Sequence, residues 1–297
     1  MRKNGKLARV LTAMVTPFDQ NLNVDYQKAA ELAKRLVATG SDGLVVAGTT
    51  GESPTLSNEE KLKLFKTVRE AVGDSALVLA GTGSNCTKST IELTKAAEDT
   101  GVDGVMLVTP YYNKPPQAGM YKHFGDVAKA TKLPILLYNV PGRTSCNMLP
   151  DTICKLGDDF ENIVAVKEAS GMLDSVAEIR SKAKKDFIIY SGDDNLTLPV
   201  MAVGGDGIVS VASHVAGLMM QEMITAFLAK DTLKAAEMHR KLLPLFKGIF
   251  ISTNPIPIKA AMGLVGLPCG SLRPPLVDIS NADLEAVKVV MKSLSLI

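Results

Sequence analysis

Short, almost wholly apolar runs alternate along the chain with longer stretches whose apolar residues recur every three or four positions. The runs occupy residues 8–15, 43–46, 76–80, 104–108, 135–138, 163–167, 187–190 and 207–210. They are rich in Val, Ile and Leu and lack polar alternation, as expected of strands buried on both faces. Helical spacing marks 24–37, 58–72, 88–100, 117–131, 150–156, 173–184, 196–202 and 215–229. Local punctuation agrees with this division. Asp25 stands at the start of the first helix, Ser57 with Glu60 forms a capping-box pattern, and Gly101 suits a C′ stop. Eight strands in alternation with eight helices is the count for a closed (β/α)8 TIM barrel. An open doubly wound sheet would normally have fewer strands and a Gly-rich nucleotide loop.

Beyond Lys230 the strand signal stops. Helical spacing continues over 232–246, 256–265 and 281–294, separated by Pro255, Pro257, Pro268, Gly270, Pro274 and Pro275. The expected organisation is a barrel over 1–229 and an all-helical extension over 230–297. No internal repeat longer than the βα unit, low-complexity tract or flexible linker interrupts it.

Composition narrows the function classes. The chain has 297 residues, 46% hydrophobic and 22% charged, with 33 Lys plus Arg against 31 Asp plus Glu. Such a chain buries a large core without covalent staples. A net charge of +2 and the lack of basic runs give no field for nucleic acid or a membrane surface. The four cysteines, Cys86, Cys146, Cys154 and Cys269, lack CxxC spacing and fit a reducing compartment. The apolar run after the basic N-terminus is too short for a signal or a membrane span, so a cytoplasmic protein is expected.

Barrel enzymes draw their catalytic groups from the C-terminal ends of strands. The run at 163–167 ends on Lys167, followed by Glu168, and the run at 135–138 ends on Tyr138. If these are neighbouring parallel strands, an amine and a phenol meet at one barrel mouth. That pair suits Schiff-base chemistry on a ketone, with Lys167 as nucleophile and Tyr138 as proton carrier. A strand-terminal lysine taken alone is more often a solvated end.

Other strand ends add to the case. After the second strand comes Gly48–Thr49–Thr50–Gly51–Glu52, where glycines let backbone approach a ligand and two hydroxyls suit a carboxylate; the plainer reading is a turn-rich βα loop. Tyr111 and Tyr112 follow the fourth strand, one of them free to face the site or a partner subunit, or both simply packing at a wet boundary. Arg143, on a Pro–Gly turn after the fifth strand, suits bidentate recognition of a carboxylate, although a lone loop arginine is usually solvated. The loop 81–89 nearly matches two nucleotide motifs and fails both, with Thr87 before Lys88 where a P-loop needs glycine and Cys86 where a dinucleotide fingerprint does. No metal site is expected: His123, His214 and His239 are isolated, and His123 and His239 read as surface positions on helices. The Asp193–Asp194 pair could bind a cation but reads better as a helix N-cap with a dipole-complementing acid.

Together these segments closely resemble the dihydrodipicolinate synthase family, within the pyruvate-dependent N-acetylneuraminate lyase superfamily. The resemblance runs from Val15–Thr16–Pro17–Phe18 to Asn254–Pro255–Ile256–Pro257–Ile258–Lys259. The Gly48–Glu52 loop and Val166–Lys167–Glu168 are shared across the superfamily. The segments 109–113 and 138–144 are more specific to the synthase. The resemblance implies a homotetramer of (β/α)8 barrels that condenses pyruvate with L-aspartate 4-semialdehyde on the way to diaminopimelate and lysine, without metal or organic cofactor. It makes Lys167 the Schiff-base residue and Tyr138, Thr49 and Tyr112 the proton relay, with Tyr112 reaching a neighbouring subunit's site. Thr50, Gly192 and the backbone around Val209 would bind substrate, with Thr50 and Val209 holding pyruvate, and Arg143 would grip the semialdehyde carboxylate. An amine at an apolar strand end is easier to hold neutral, as attack on a ketone requires.

The family's lysine-inhibited members use a histidine and a glutamate in an interface pocket. Lys61 and Ser89 stand at the corresponding places here, beside retained Ser53, Asn85 and Tyr111. A cation at Lys61 would repel lysine's ammonium and Ser89 removes a countercharge, so feedback inhibition is expected to be weak or absent. Two other functions share parts of the pattern. A lyase acting on N-acetylneuraminate or a 2-keto-3-deoxy sugar acid would keep Lys167 and Tyr138 but need polyol-binding groups where Arg143 stands. A non-catalytic sensor would have no use for the nucleophile.

Overall fold

All eight predicted apolar runs form strands in the computed structural model, which describes residues 1–3 and 5–297. They are β3 (Val10–Ala13), β4 (Gly43–Val46), β5 (Leu77–Gly81), β6 (Gly104–Val108), β7 (Ile135–Asn139), β8 (Ile163–Glu168), β9 (Ile188–Ser191) and β10 (Gly207–Ser210). The eight close into a barrel in the order β10-β3-β4-β5-β6-β7-β8-β9. Apart from Val108 and Val164, every strand residue is buried, which is why the runs carry no polar alternation. A short antiparallel hairpin, β1 (Arg2–Lys3) with β2 (Lys6–Leu7), precedes the barrel; two-residue strands are too short to leave a periodic signal.

The chain falls into two compact units, Met1–Ala8 with Leu77–Val209, and Arg9–Ala76 with Ser210–Ile297. The first holds β5 to β9, Gly207–Val209 of β10 and the helices α3 (Thr87–Glu98), α4 (Gln117–Ala130), α5 (Pro141–Thr144), α6 (Pro150–Asp159), α7 (Leu173–Lys182) and α8 (Thr197–Ala202). Its strands pair in parallel, with Tyr138 opposite Lys167 and Lys167 opposite Tyr190. In a parallel ladder such partners point to the same face. The Tyr190 phenol donates to the Ala8 carbonyl at 2.7 Å and ties the N-terminal segment to this unit.

His123 departs from the surface reading. It is buried on α4, with Nδ1 2.9 Å from the Thr87 hydroxyl and its ring edge-on to Phe124. Burial lowers its pKa to about 4. The helical spacing was right; the residue falls on the apolar stripe of α4 with Met120, Phe124 and Val127. His239 is half-buried, its ring beside Phe246.

The second unit holds β3, β4, α1 (Tyr26–Ala38), α2 (Asn58–Val72), α9 (Ser213–Leu228), α10 (Thr232–Gly248), α11 (Ile256–Leu264) and α12 (Asn281–Ser293). Its local signals hold in detail. Asp25 caps α1 by accepting from the Lys28 amide. Ser57 and Glu60 form both bonds of the capping box on α2. His214 is a fully buried staple: Nε2 accepts from the Val15 amide at 3.1 Å and Nδ1 donates to the Val211 carbonyl at 2.8 Å. Burial holds its pKa down at about 4.

Candidate functional site

The ends of β7 and β8 build the centre of the candidate site. Because Tyr138 and Lys167 are register partners, their side chains leave the ladder on one face. The Lys167 ammonium nitrogen sits 4.1 Å from the centroid of the Tyr138 ring. Both residues are 5% exposed. One residue further along each strand, alternation turns Asn139 and Glu168 to the other face. There the Asn139 amide donates to Glu168 Oε2 at 3.0 Å and the Ser170 amide N–H donates to Oε1 at 2.7 Å. Asn139 also donates to Asn147 Oδ1 at 2.8 Å and accepts from the Met148 amide at 3.0 Å. Burial pushes the Glu168 carboxyl up, against these donors. This network locks the strand ends that carry Tyr138 and Lys167.

A carboxyl lies within electrostatic reach of Lys167. Burial raises the Asp193 carboxyl, while the charges of Lys167 and then Arg143 pull it down. Asp193 occupies the N-cap position of a short 3-10 turn, yet its side chain makes no capping bond. The N-cap reading of the Asp193–Asp194 pair holds in position, with Asp194 in the first turn, and Asp193 is in addition an electrostatic neighbour of Lys167. No local sequence signal separates the two roles, because both place an acid after a strand. Gly192, just before it, donates its amide to the Glu168 carbonyl at 2.7 Å. A Cβ at Gly192 would overlap Ala169, so only glycine permits this approach.

Arg143 lies exposed on the one-turn helix α5. The turn is held from inside by the buried Thr144, whose hydroxyl donates to the Cys146 carbonyl at 2.9 Å. Val209, on β10, is fully buried. Tyr112 is 90% exposed with a positive φ of 73°, and Tyr111 is also exposed. Tyr112 is therefore not a packing residue within the chain, whereas much of Tyr111 is covered.

In the second unit, the loop after β4 carries Thr49 and Thr50. Thr49 is half-buried and Thr50 is buried. Ala47 and Glu52 hold positive φ values of 53° and 56°. Non-glycine residues tolerate that conformation only where surrounding contacts over-determine it. Those contacts come from far along the chain. Asn254 Nδ2 donates to the Thr50 hydroxyl at 2.9 Å. Glu52 Oε1 lies 2.7 Å from the Lys259 ammonium, both side chains almost wholly buried, and Oε2 accepts from the Arg273 amide at 3.0 Å. The Phe18 ring has the Lys259 ammonium 4.3 Å and the Arg273 guanidinium 4.6 Å from its centroid. Arg273 also forms a bidentate pair with Glu60, at 2.8 and 2.6 Å. Gly270, at φ +71°, lets the 269–273 segment press against the Phe18 backbone, where a Cβ would collide.

Among the described residues no group of three or more His, Cys, Asp and Glu side chains converges as a metal site, and no helix is long and apolar enough to cross a membrane.

Residues 6–294 match the model of the dihydrodipicolinate synthetase family. The chain belongs to that family. It is 56% identical over 291 residues to a 4-hydroxy-tetrahydrodipicolinate synthase of Heliobacterium modesticaldum, covering 98% of this chain and 97% of the relative. Among solved dihydrodipicolinate synthases, that of Bacillus anthracis is 50% identical with a TM-score of 0.94, covering 96% of this chain and 98% of the other. The enzyme of Cyanidioschyzon merolae, solved with lysine bound, is 47% identical with a TM-score of 0.96, covering 98% and 99%. Several further relatives at about 55% identity over nearly their full length are likewise 4-hydroxy-tetrahydrodipicolinate synthases.

Proposed function

We propose that this member of the dihydrodipicolinate synthetase family is a 4-hydroxy-tetrahydrodipicolinate synthase, a lyase that condenses pyruvate with L-aspartate 4-semialdehyde by a Schiff-base mechanism. The observation that carries the reading is the Lys167 nitrogen 4.1 Å from the Tyr138 ring at register-matched strand ends. Lys167 attacks the ketone of pyruvate and water leaves as the imine forms. The imine draws electrons from the adjacent methyl carbon, which loses a proton to give an enamine. That carbon attacks the aldehyde, forming the new carbon–carbon bond while the aldehyde oxygen takes up a proton. The amine of the second substrate then displaces Lys167 from the imine carbon, closing a ring and freeing the enzyme. One water is lost overall and no redox cofactor or metal is called for.

Proton movement falls to Tyr138, Thr49 and Tyr112, supplying what bulk water would otherwise have to deliver. The exposure of Tyr112 supports a role in a neighbouring copy's site, and with it a homotetramer of two dimers. Thr50, Gly192 and the backbone at Val209 bind substrate, Thr50 holding the pyruvate carboxylate. Arg143 grips the carboxylate of the semialdehyde and turns a two-substrate encounter into a near-intramolecular step. We assign residues 1–229 to the catalytic barrel and 230–297 to the helical extension, and place the enzyme in the cytoplasm, with small-molecule substrates and neither nucleic acid nor membrane as partner.

The test is borohydride reduction of the protein with pyruvate, followed by peptide mapping. The expected result is a reduced pyruvate adduct on Lys167. An adduct elsewhere, or none, overturns the reading.

A further inference from the structure

Several contacts that hold the β4 loop come from the helical extension, and one of them reaches a proposed substrate group. The Thr50 hydroxyl has a single proton. Asn254 Nδ2, 204 residues along the chain, donates to its oxygen at 2.9 Å, and both residues are buried. A hydroxyl that accepts there has its own proton directed away from Asn254. The other end of the amide, Asn254 Oδ1, is buried without a hydrogen-bond partner among the described residues. An amide chosen for stability would satisfy both ends, since a buried unpaired acceptor is costly. What this amide keeps is its donor arm on Thr50.

We infer that Asn254 is a positioning residue for the substrate carboxylate: its amide commits the Thr50 hydroxyl as an acceptor and so aims the Thr50 proton at the carboxylate of pyruvate. This rests on the proposed role of Thr50 in binding pyruvate. The rigid frame around the pair supports it. Glu52, two residues on, is clamped by the Lys259 ammonium and the Arg273 amide, and the Thr16 hydroxyl donates to the Gly51 carbonyl at 2.7 Å. With the two residues that follow it held in place, Thr50 is left with hydroxyl rotation as its main freedom, and Asn254 removes that. The helical extension thereby acts on substrate affinity without touching substrate.

Steady-state kinetics of the full-length enzyme with both substrates, alongside thermal denaturation, test this. A hydrogen bond to a charged group corresponds to about ten- to hundredfold in affinity. Asn254→Ala is expected to raise KM for pyruvate by about tenfold, with kcat and the KM of the semialdehyde within about twofold. Asn254→Asp, which fills the same space, is expected to raise it further, because a carboxylate takes the Thr50 proton for itself and repels the substrate. In Asn254→Asp the KM for pyruvate should climb with pH as the new carboxyl ionises, a limb missing from the parent enzyme. A purely packing role predicts the opposite order, with alanine worse than aspartate and the loss read in Tm. That order, or a pyruvate KM unchanged in both variants, overturns the inference.

Should one variant fail to fold, a Thr50→Val background decides. If Asn254 acts through Thr50, the surviving substitution adds less than about twofold there; its full effect in that background overturns the inference. Failure of the underlying reading looks different. In that case pyruvate and borohydride leave Lys167 of the parent enzyme unlabelled, and the inference falls with it.

Discussion

Replacing Lys259 with methionine keeps most of the stem and removes the ammonium, with its pairing to Glu52 and its 3.1 Å hydrogen bond to the Ser271 carbonyl. In the folded chain this leaves the Glu52 carboxylate, which is 2% exposed, with the Arg273 amide as its remaining donor and no countercharge at 2.7 Å. Removing one partner of such a buried pair costs about 3–5 kcal/mol. At roughly 2–4 °C per kcal/mol for a domain of this size class, Tm should fall by about 6–20 °C. Loss of the cation–π contact with Phe18 is a smaller part of this, about 1–2 kcal/mol. The double variant Glu52→Gln with Lys259→Met separates the two contributions. It removes the stranded charge but restores neither the ring contact nor the bond to the Ser271 carbonyl, so it should recover most of the Tm and stop short of the parent. Scanning fluorimetry or calorimetry at fixed protein concentration and scan rate reads the comparison. A loss below about 1 kcal/mol for Lys259→Met, the range of a solvated surface pair, would refute the reasoning. So would a double variant no more stable than the single one.

Three further outcomes are expected. His214 and His123 are held neutral by burial, each with a pKa of about 4 against 6.5 for the free group. The unfolded chain therefore takes up these protons first, so stability is complete above about pH 6.5 and is lost as pH falls toward 4, by roughly 3 kcal/mol for each histidine. Denaturation midpoints from neutral to acid pH check this, and an acid limb equally steep in His214→Gln and His123→Phe variants counts against it. Tyr138→Phe keeps the ring against Lys167 but removes the phenol, so kcat should fall about a hundredfold to ten-thousandfold with the fold intact; near-parent kcat would remove Tyr138 from the proton path. Lys61 is half-buried, and burial lowers its pKa. With a serine at position 89 and so no carboxylate there to pair with an ammonium, free lysine should inhibit weakly or not at all; inhibition by sub-millimolar lysine in a steady-state assay would refute this.

Much of the architecture was legible because its signals are local. A strand buried on both faces must be apolar at every position, so the eight runs stand out against helices with one apolar stripe. Helix ends were readable for the same reason, since the Ser57–Glu60 capping box closes within one turn. Lys167 and Tyr138 were legible together because neighbouring parallel strands present their last residues at one end of a barrel. Burial class was harder to read for polar residues. The stripe on α4 has room for His123 between Met120 and Phe124, and an imidazole on a helix looks the same in sequence whether it faces water or core.

By itself, then, the amino-acid sequence determined the βα alternation, the caps, and the strand-end amine and phenol, all features set within a turn, a strand or one pair of neighbours. Only the tertiary structure decided that Asp193 lies within electrostatic reach of Lys167 and Arg143, that Glu168 and Asn139 lock the strand ends from behind, and that Asn254, Lys259 and Arg273 hold the Thr50–Glu52 loop. These partners are tens to hundreds of residues apart. No propensity or periodicity connects them, because their energy exists only once the folded chain has removed water from between them.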